Sequence, residues 1–265
     1  MVILTAILKA ALVMGGIGLL FGIILGIASR IFHVDKDERV GMILQVLPCA
    51  NCGGCGFAGC SAYAEAVVKG DAPANGCSVG GSECSKKVAD IMGVEVGDSV
   101  KKVARVRCVG NCEIAPVKYE YKGLENCYAA MRVAGGPKNC EYGCLGVGSC
   151  AKICPVGAIS VKNGVAFVDE TKCIACGLCV NTCPKHIIEL VPAESDYYVA
   201  CRNKSKGAAV TKVCGVGCIG CGLCAKVCEN EAITIEDNLA RIDPAKCVNC
   251  GLCSEKCPRN VIVKY

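Results

Sequence analysis

Of 265 residues, 27 are cysteine and 32 glycine, while the aromatic set is eight Tyr, four Phe and no Trp. That length allows two or three small units and is too long for a stapled secreted mini-protein; an odd thiol count also leaves one cysteine over from any complete set of disulfides. With so few rings, something other than packed aromatic side chains must organise those units, and the formal charge of +5 holds only while every thiol is neutral.

At the amino end, residues 10–29 (AALVMGGIGLLFGIILGIAS) carry no charge. Twenty such residues span about 30 Å as a helix, which predicts a membrane anchor. Lys9 flanks one end and Arg30, Lys36 and Arg39 the other, which places the bulk of the chain on the cytoplasmic side of a prokaryotic plasma membrane as a single-pass protein. A cleaved signal peptide fits less well, because the apolar stretch is long and no A-x-A-like cleavage site follows. Gly18, Gly22 and Gly26 line one face of this helix and offer a close-packing surface to another one.

The next constellation is Cys52-x2-Cys55-x4-Cys60-x16-Cys77, set in LPCANCGGCGFAGC and followed by the helical stretch SAYAEAVVKG. Its glycines let the backbone wrap closely around a cluster and present amide donors to sulfur. Spacing alone leaves Cys49 as an alternative to Cys52, and a zinc-bound sulfur-rich turn as an alternative to a cluster.

Further on, three runs place cysteines at every third position: Cys173, Cys176, Cys179; Cys218, Cys221, Cys224; and Cys247, Cys250, Cys253. Each is followed after three residues by another, Cys183, Cys228 and Cys257. This is the bacterial ferredoxin run, in which three thiolates hold one [4Fe–4S] cube and the fourth ligates the other cluster. An offset of 74 maps Cys127, Cys140, Cys144, Cys150 and Cys154 onto Cys201, Cys214, Cys218, Cys224 and Cys228, and maps the 173–183 run onto 247–257. Only Cys221 has no counterpart, since position 147 is Val; the repeat therefore predicts Cys140 as the replacement ligand in the first copy. Between half-motifs, AISVKNGVAFVD alternates around Asn163-Gly164, a type I′ hairpin signal, and AITIEDNLARID places Asp237-Asn238 at the corresponding turn. The crossed rule then gives four ligand sets: Cys140, Cys144, Cys150 with Cys183; Cys173, Cys176, Cys179 with Cys154; Cys218, Cys221, Cys224 with Cys257; and Cys247, Cys250, Cys253 with Cys228.

Taken together, the anchor, the LP-x-A-N-C-G-G-C-G-x-x-G-C motif and the ferredoxin runs make the chain resemble the B subunit of the Rnf complex, the ion-translocating ferredoxin:NAD+ oxidoreductase. The resemblance covers essentially the whole length, in a long form with two double-cluster modules. It selects Cys52, Cys55, Cys60 and Cys77 for the upstream cluster, because Cys49 falls where that family often has Gly. It implies an electron-transfer subunit that takes electrons from soluble ferredoxin and passes them to flavin-, NAD- and ion-handling membrane subunits. A membrane-anchored polyferredoxin serving a hydrogenase or another reductase is the alternative.

The expected fold class is α+β: an anchor over 1–32, a small [4Fe–4S] domain over 33–95, a connecting segment over 96–139, and ferredoxin modules over 140–193 and 194–265. No dinucleotide, Walker or zinc-protease motif is present, so no independent catalytic site is expected beyond electron transfer; His33 and His186 read as surface residues. Lys86, Lys87, Lys101, Lys102, Arg105 and Arg107 form a basic segment expected to steer acidic ferredoxin, and nothing else points to nucleic acid. Seven cysteines have no role in this scheme: Cys49, Cys84, Cys108, Cys112, Cys127, Cys201 and Cys214. Five [4Fe–4S] clusters are expected; a sixth, from some four of Cys108, Cys112, Cys127, Cys201 and Cys214, stays open. Five cubes on four thiolates each add about −10, which turns the apparent +5 into about −5.

Overall fold

The structure, a computed structural model, describes residues 2–31, 37–97 and 100–264, and within the first helix the side chains of 9, 12, 14–28 and 30. That helix, α1 (Val2–Ile31), contains the expected anchor. Among the described residues no helix is long and apolar enough to cross a membrane; the unbroken run of described side chains in α1 is 14–28, shorter than a span needs. Leu12, Met14, Leu19 and Leu25 are each about two-thirds exposed or more, and a Cβ at Gly18, Gly22 or Gly26 would meet nothing within 4 Å. Lys36 and His33 lie outside the described residues.

Three helices build the next unit: α2 (Glu38–Val46), α3 (Cys60–Lys69) and α4 (Gly81–Met92). Asp37 caps α2 by accepting from the Arg39 N–H at 2.9 Å, and left-handed Gly70 and Gly93 close α3 and α4. Ile43, Tyr63, Val67 and Val88 form a core of their own. Tyr63 is the ring buried in it, and its hydroxyl donates to the Pro73 carbonyl at 2.8 Å and accepts from the Gly76 N–H at 3.0 Å. That pairing satisfies the polar end of a buried ring and fixes the loop that carries Cys77.

Two similar modules follow. The first runs through β1 (Lys102–Val106), α5 (Cys127–Arg132), α6 (Ser149–Ile153), β2 (Ile159–Lys162), β3 (Val165–Val168), α7 (Leu178–Thr182) and β4 (Ile188–Pro192). The second runs through β5 (Tyr197–Val199), α8 (Gly207–Val213), α9 (Leu223–Lys226), β6 (Ile233–Glu236), β7 (Leu239–Ile242), α10 (Leu252–Glu255) and β8 (Ile262–Lys264). Among the described residues every sheet is a two-stranded antiparallel pair: β1 with β4, β2 with β3, β5 with β8 and β6 with β7. The hairpins turn where the sequence places them. Asn163 and Gly164 have φ of 45° and 75°, Asp237 and Asn238 of 49° and 59°, the two positive angles that a type I′ turn requires. β2 and β3 map onto β6 and β7 with the offset of 74.

The outer strands depart from expectation. β1 lies in the segment expected to connect domains, yet it pairs with β4 along five residues, from Lys102↔Pro192 to Val106↔Ile188. Arg105 and Arg107 are therefore not part of a docking surface: they are 1% and 6% exposed. Arg105 pairs with Glu170 at 2.8 Å, donates to the Ser195 carbonyl and lies over the Tyr198 ring. Arg107 donates to the Val199 carbonyl at 3.3 Å and reaches Glu189 at 3.4 Å. Charge type marked them as surface residues; their place on a covered strand makes them ties between the two modules.

Candidate metal centres

Each module wraps short loops around thiols instead of a large apolar core. Cys144, Cys150 and Cys179 are buried with Ile159, Val168 and Ile187 in the first, and Cys218, Cys224 and Cys253 with Val199, Leu239 and Val261 in the second. The short helices begin beside left-handed glycines: Gly148, Gly177, Gly222 and Gly251 all have positive φ. That conformation lets the chain turn in from a loop so that the helical cysteine faces the loop's own thiols.

Three chambers result. One is lined by Cys154, Cys173, Cys176 and Cys179 and another by Cys218, Cys221, Cys224 and Cys257; each brings together one ligand set expected from the crossed rule. The third is lined by Cys127, Cys144, Cys150 and Cys183, and here the structure departs from the sequence. Cys140, expected as the third ligand, lies in the wall of a different chamber with Cys108, Cys201 and Cys214, and Cys127 stands in its place. The reason is local. The Cys127 N–H donates to the Ser149 hydroxyl at 2.8 Å, which fixes the start of α5 against the loop where position 147 is Val. Of the fourth expected set, Cys228 and Cys253 pack into the second module's core, and Cys253 is pushed up first by burial and then by neighbouring Cys247 and Cys250.

In the amino-terminal unit, Cys55, Cys60 and Cys77 pack against the helical core, and Asn51 steadies the loop by accepting from the Cys60 N–H at 2.9 Å. Cys52, the remaining expected ligand, begins the loop whose Gly54 packs on the backbone of Cys176 in the first module. Cys49 is exposed, and its thiol donates to the Leu44 carbonyl at 3.5 Å. Cys84, which no spacing argument singled out, is buried with its thiol on Cys77; that hydrogen bond holds Cys77 down and Cys84 up.

The donor sets fit iron–sulfur cubes. Four cysteines line each chamber, and backbone amides are aimed at sulfur: Ala104 N–H at Cys173 (3.4 Å) and Ala158 N–H at Cys154 (3.3 Å). Such donors favour thiolate and tune a bound cluster. Burial acts the other way in the metal-free chain. It pushes Cys144 up to about 11 and Cys150 and Cys179 to about 12, so charge on these sulfurs has to be met by a cation. Among the described residues no three His, Cys, Asp or Glu side chains are grouped to hold a single metal ion. Zinc at about 2.3 Å from each sulfur needs thiolates within about 4 Å of one another; a cube holds them farther apart.

Family models match three stretches of the chain. Residues 47–79 match the family described as "Putative Fe-S cluster", 166–189 the 4Fe-4S binding domain and 217–261 the 4Fe-4S dicluster domain. The B subunit of a Na(+)-translocating ferredoxin:NAD(+) oxidoreductase complex from Acetobacterium woodii is 48% identical over 98% of this chain and 78% of its own. A proton-translocating counterpart from Clostridium ljungdahlii is 44% identical over 91% and 85%. The B subunit of an ion-translocating oxidoreductase complex from Methanosarcina acetivorans is 40% identical over 97% and 98%. The chain belongs to the family of Rnf complex B subunits. Members of this family from Aeromonas hydrophila and Rhodobacter capsulatus align with only 40% and 37% of the chain.

Proposed function

We propose that this chain is the electron-relaying B subunit of a membrane-bound, ion-translocating ferredoxin:NAD+ oxidoreductase, taking electrons from reduced ferredoxin and passing them to partner subunits. The observation that supports this most directly is continuity between sites. Gly54, in the loop between Cys52 and Cys55, lies against the backbone of Cys176, and Cys179 of that same chamber is buried in one core with Cys150 of the next. Clusters held at adjoining sites would form one relay in place of a set of isolated structural pins.

The ligand sets in this reading are Cys52, Cys55, Cys60 and Cys77; Cys154, Cys173, Cys176 and Cys179; Cys127, Cys144, Cys150 and Cys183; Cys218, Cys221, Cys224 and Cys257; and Cys228, Cys247, Cys250 and Cys253. When bound, a [4Fe–4S] cluster supplies storage and release of one electron at a time. The chain's own residues bury Cys144, Cys150, Cys179, Cys218, Cys224 and Cys253, leave Cys221 and Cys250 at the surface, point amides at sulfur and fix the order of the sites. The exposed apolar side chains of α1 support a membrane anchor over residues 10–29, with the domains on the cytoplasmic side. The two carboxylates that meet buried arginines, Glu170 and Glu189, are taken up in ion pairs within the first module.

The test is anaerobic purification of the full chain in detergent, followed by addition of reduced ferredoxin. The expected result is a brown protein that bleaches as ferredoxin is oxidised and shows EPR signals of reduced cubes. A colourless chain, or one that takes no electrons from ferredoxin, would end this reading.

A further inference from the structure

One chamber is left without a role. It is lined by Cys108, Cys140, Cys201 and Cys214, four cysteines, as each of the three chambers described above is. We propose that these four cysteines hold a sixth [4Fe–4S] cluster at the join between the two modules. The proposal rests on the electron-relay reading above and extends it to a site that no ferredoxin run predicts.

The four thiols arrive as two equivalent pairs, one pair from each module. Cys140 and Cys214 are 74 positions apart and so occupy the same place in the repeat. Cys108 and Cys201 are 93 apart, yet they too are structural counterparts. Val106 pairs with Ile188 and Val199 with Ile262, and those partners are themselves repeat mates. One residue on, the Arg107 N–H donates to the Ile187 carbonyl at 2.7 Å and the Ala200 N–H to the Val261 carbonyl at 2.8 Å. Each cysteine thus stands two residues beyond the end of an equivalent outer strand. Extra chain in the first module, the same stretch that carries Cys127, accounts for the difference in offset.

The hydrogen bonding repeats as well. The Cys144 N–H donates to Cys108 Sγ at 3.4 Å, and the backbone amide of its repeat mate Cys218 donates to Cys201. Asn203, only 3% exposed, donates its backbone N–H to Cys201 Sγ at 3.4 Å and its side-chain amide to Cys140 Sγ at 3.7 Å. Buried cysteines that merely fill space behave as small hydrophobes and need no such donors. Here donors converge on sulfur, and Arg107 and Arg202 complete the wall, which is the environment of a thiolate-held anion. Zinc on the same four thiols is the competing occupant, and the metal count separates the two. Cys144 and Cys218 each line their own module's chamber, so the new site touches both modules through one residue on either side.

Cys112 is outside the set. It is exposed, and its N–H donates to the Asn163 carbonyl at 3.1 Å at the hairpin turn.

The decisive measurement is iron, sulfide and zinc per full-length chain, purified anaerobically, with spin-quantified EPR of the dithionite-reduced protein. The expected values are about 24 iron and about 24 sulfide, four per cube. The double variant C108A/C201A is expected to lose about four of each and one cluster's worth of spin, while C112S loses none. Cys127 and Cys140 are expected to act at different sites, so C127A/C140A loses about eight iron, against about four for either single variant. About 20 iron in the parent chain, with or without one zinc, overturns the sixth cluster and leaves the electron-relay reading standing. A C127A/C140A loss equal to that of one single variant also overturns it. About eight iron or fewer in the parent overturns both.

Discussion

Gly54 packs the amino-terminal unit directly on the backbone of the first module. A Cβ built there would stand 3.0 Å from the carbonyl carbon and 3.1 Å from the Cα of Cys176, and nearer still to its carbonyl oxygen. Carbon atoms settle at about 3.5–4.0 Å from each other, so Gly54→Ala has to push the facing backbones apart by about 0.5–1 Å. The backbone of Gly54 is not in the left-handed region, so the change acts through contact and not through strain. Overpacking of this size costs about 1–3 kcal/mol, which corresponds to about 5- to 150-fold in the docked population. Iron content should stay at the parent value, because Gly54 is no ligand. What should fall is the rate at which electrons placed on the amino-terminal site reach the modules, read by freeze-quench EPR, together with the spin–spin broadening between the two nearest clusters. Gly41→Ala, where nothing lies within 4 Å of the added methyl, is the control. Unchanged broadening and an unchanged rate in Gly54→Ala would show that this contact does not carry the coupling.

Three further outcomes are expected. Val147→Cys should restore the four iron atoms that C127A loses, because Gly146 and Gly220 pack on the two hairpin turns alike and so place residue 147 where Cys221 stands in the second module; failure of iron to return, measured on the double variant, would break that equivalence. Lys138 is 3% exposed and its ammonium donates at 2.7 Å to the carbonyls of both Gly110 and Gly164. Lys138→Met strips both carbonyls of a charged partner and should cost about 2–4 kcal/mol, seen as faster thermal bleaching of the visible absorption. Stability of the metal-free chain should depend on alkaline pH. Burial raises Cys150, Cys179, Cys201 and Cys224 to about 11 or 12, above the unfolded thiol value of about 8.5. Stability from thiols held neutral is therefore present below about pH 8.5 and is lost as pH rises toward 11 or 12. The metal-free melting temperature should fall across that window, while the loaded chain, whose sulfurs are already bound, should show little of this loss.

Elements whose signal is local were legible from the sequence. The I′ turns at Asn163-Gly164 and Asp237-Asn238 and the ligand loops around Cys173 and Cys218 depend on residues within a few positions of one another. That Cys127 lines the chamber expected to take Cys140 was not legible, because a fixed offset of 74 treats Cys127 and Cys201 as mates while the chain places them in the walls of different chambers. A comparison of strand ends would have found it: Val106-x-Cys108 and Val199-x-Cys201 are the matching phrases. Arg105 and Arg107 were misplaced for a related reason. Alternation along β1 is masked by burial of four successive residues, and a strand covered on both faces does not announce which of its charges find partners.

The two-stranded sheets have a consequence for the life of the protein in the cell. A lone antiparallel pair is marginal in water, and among the described residues none of the sheets has a third strand. Little remains to hold the loops once the sulfurs are empty, so a newly made chain waits in a protease-sensitive form until cluster assembly reaches it. The amount of this subunit is then expected to follow the supply of iron and sulfide, because a chain without clusters is the form a protease cuts.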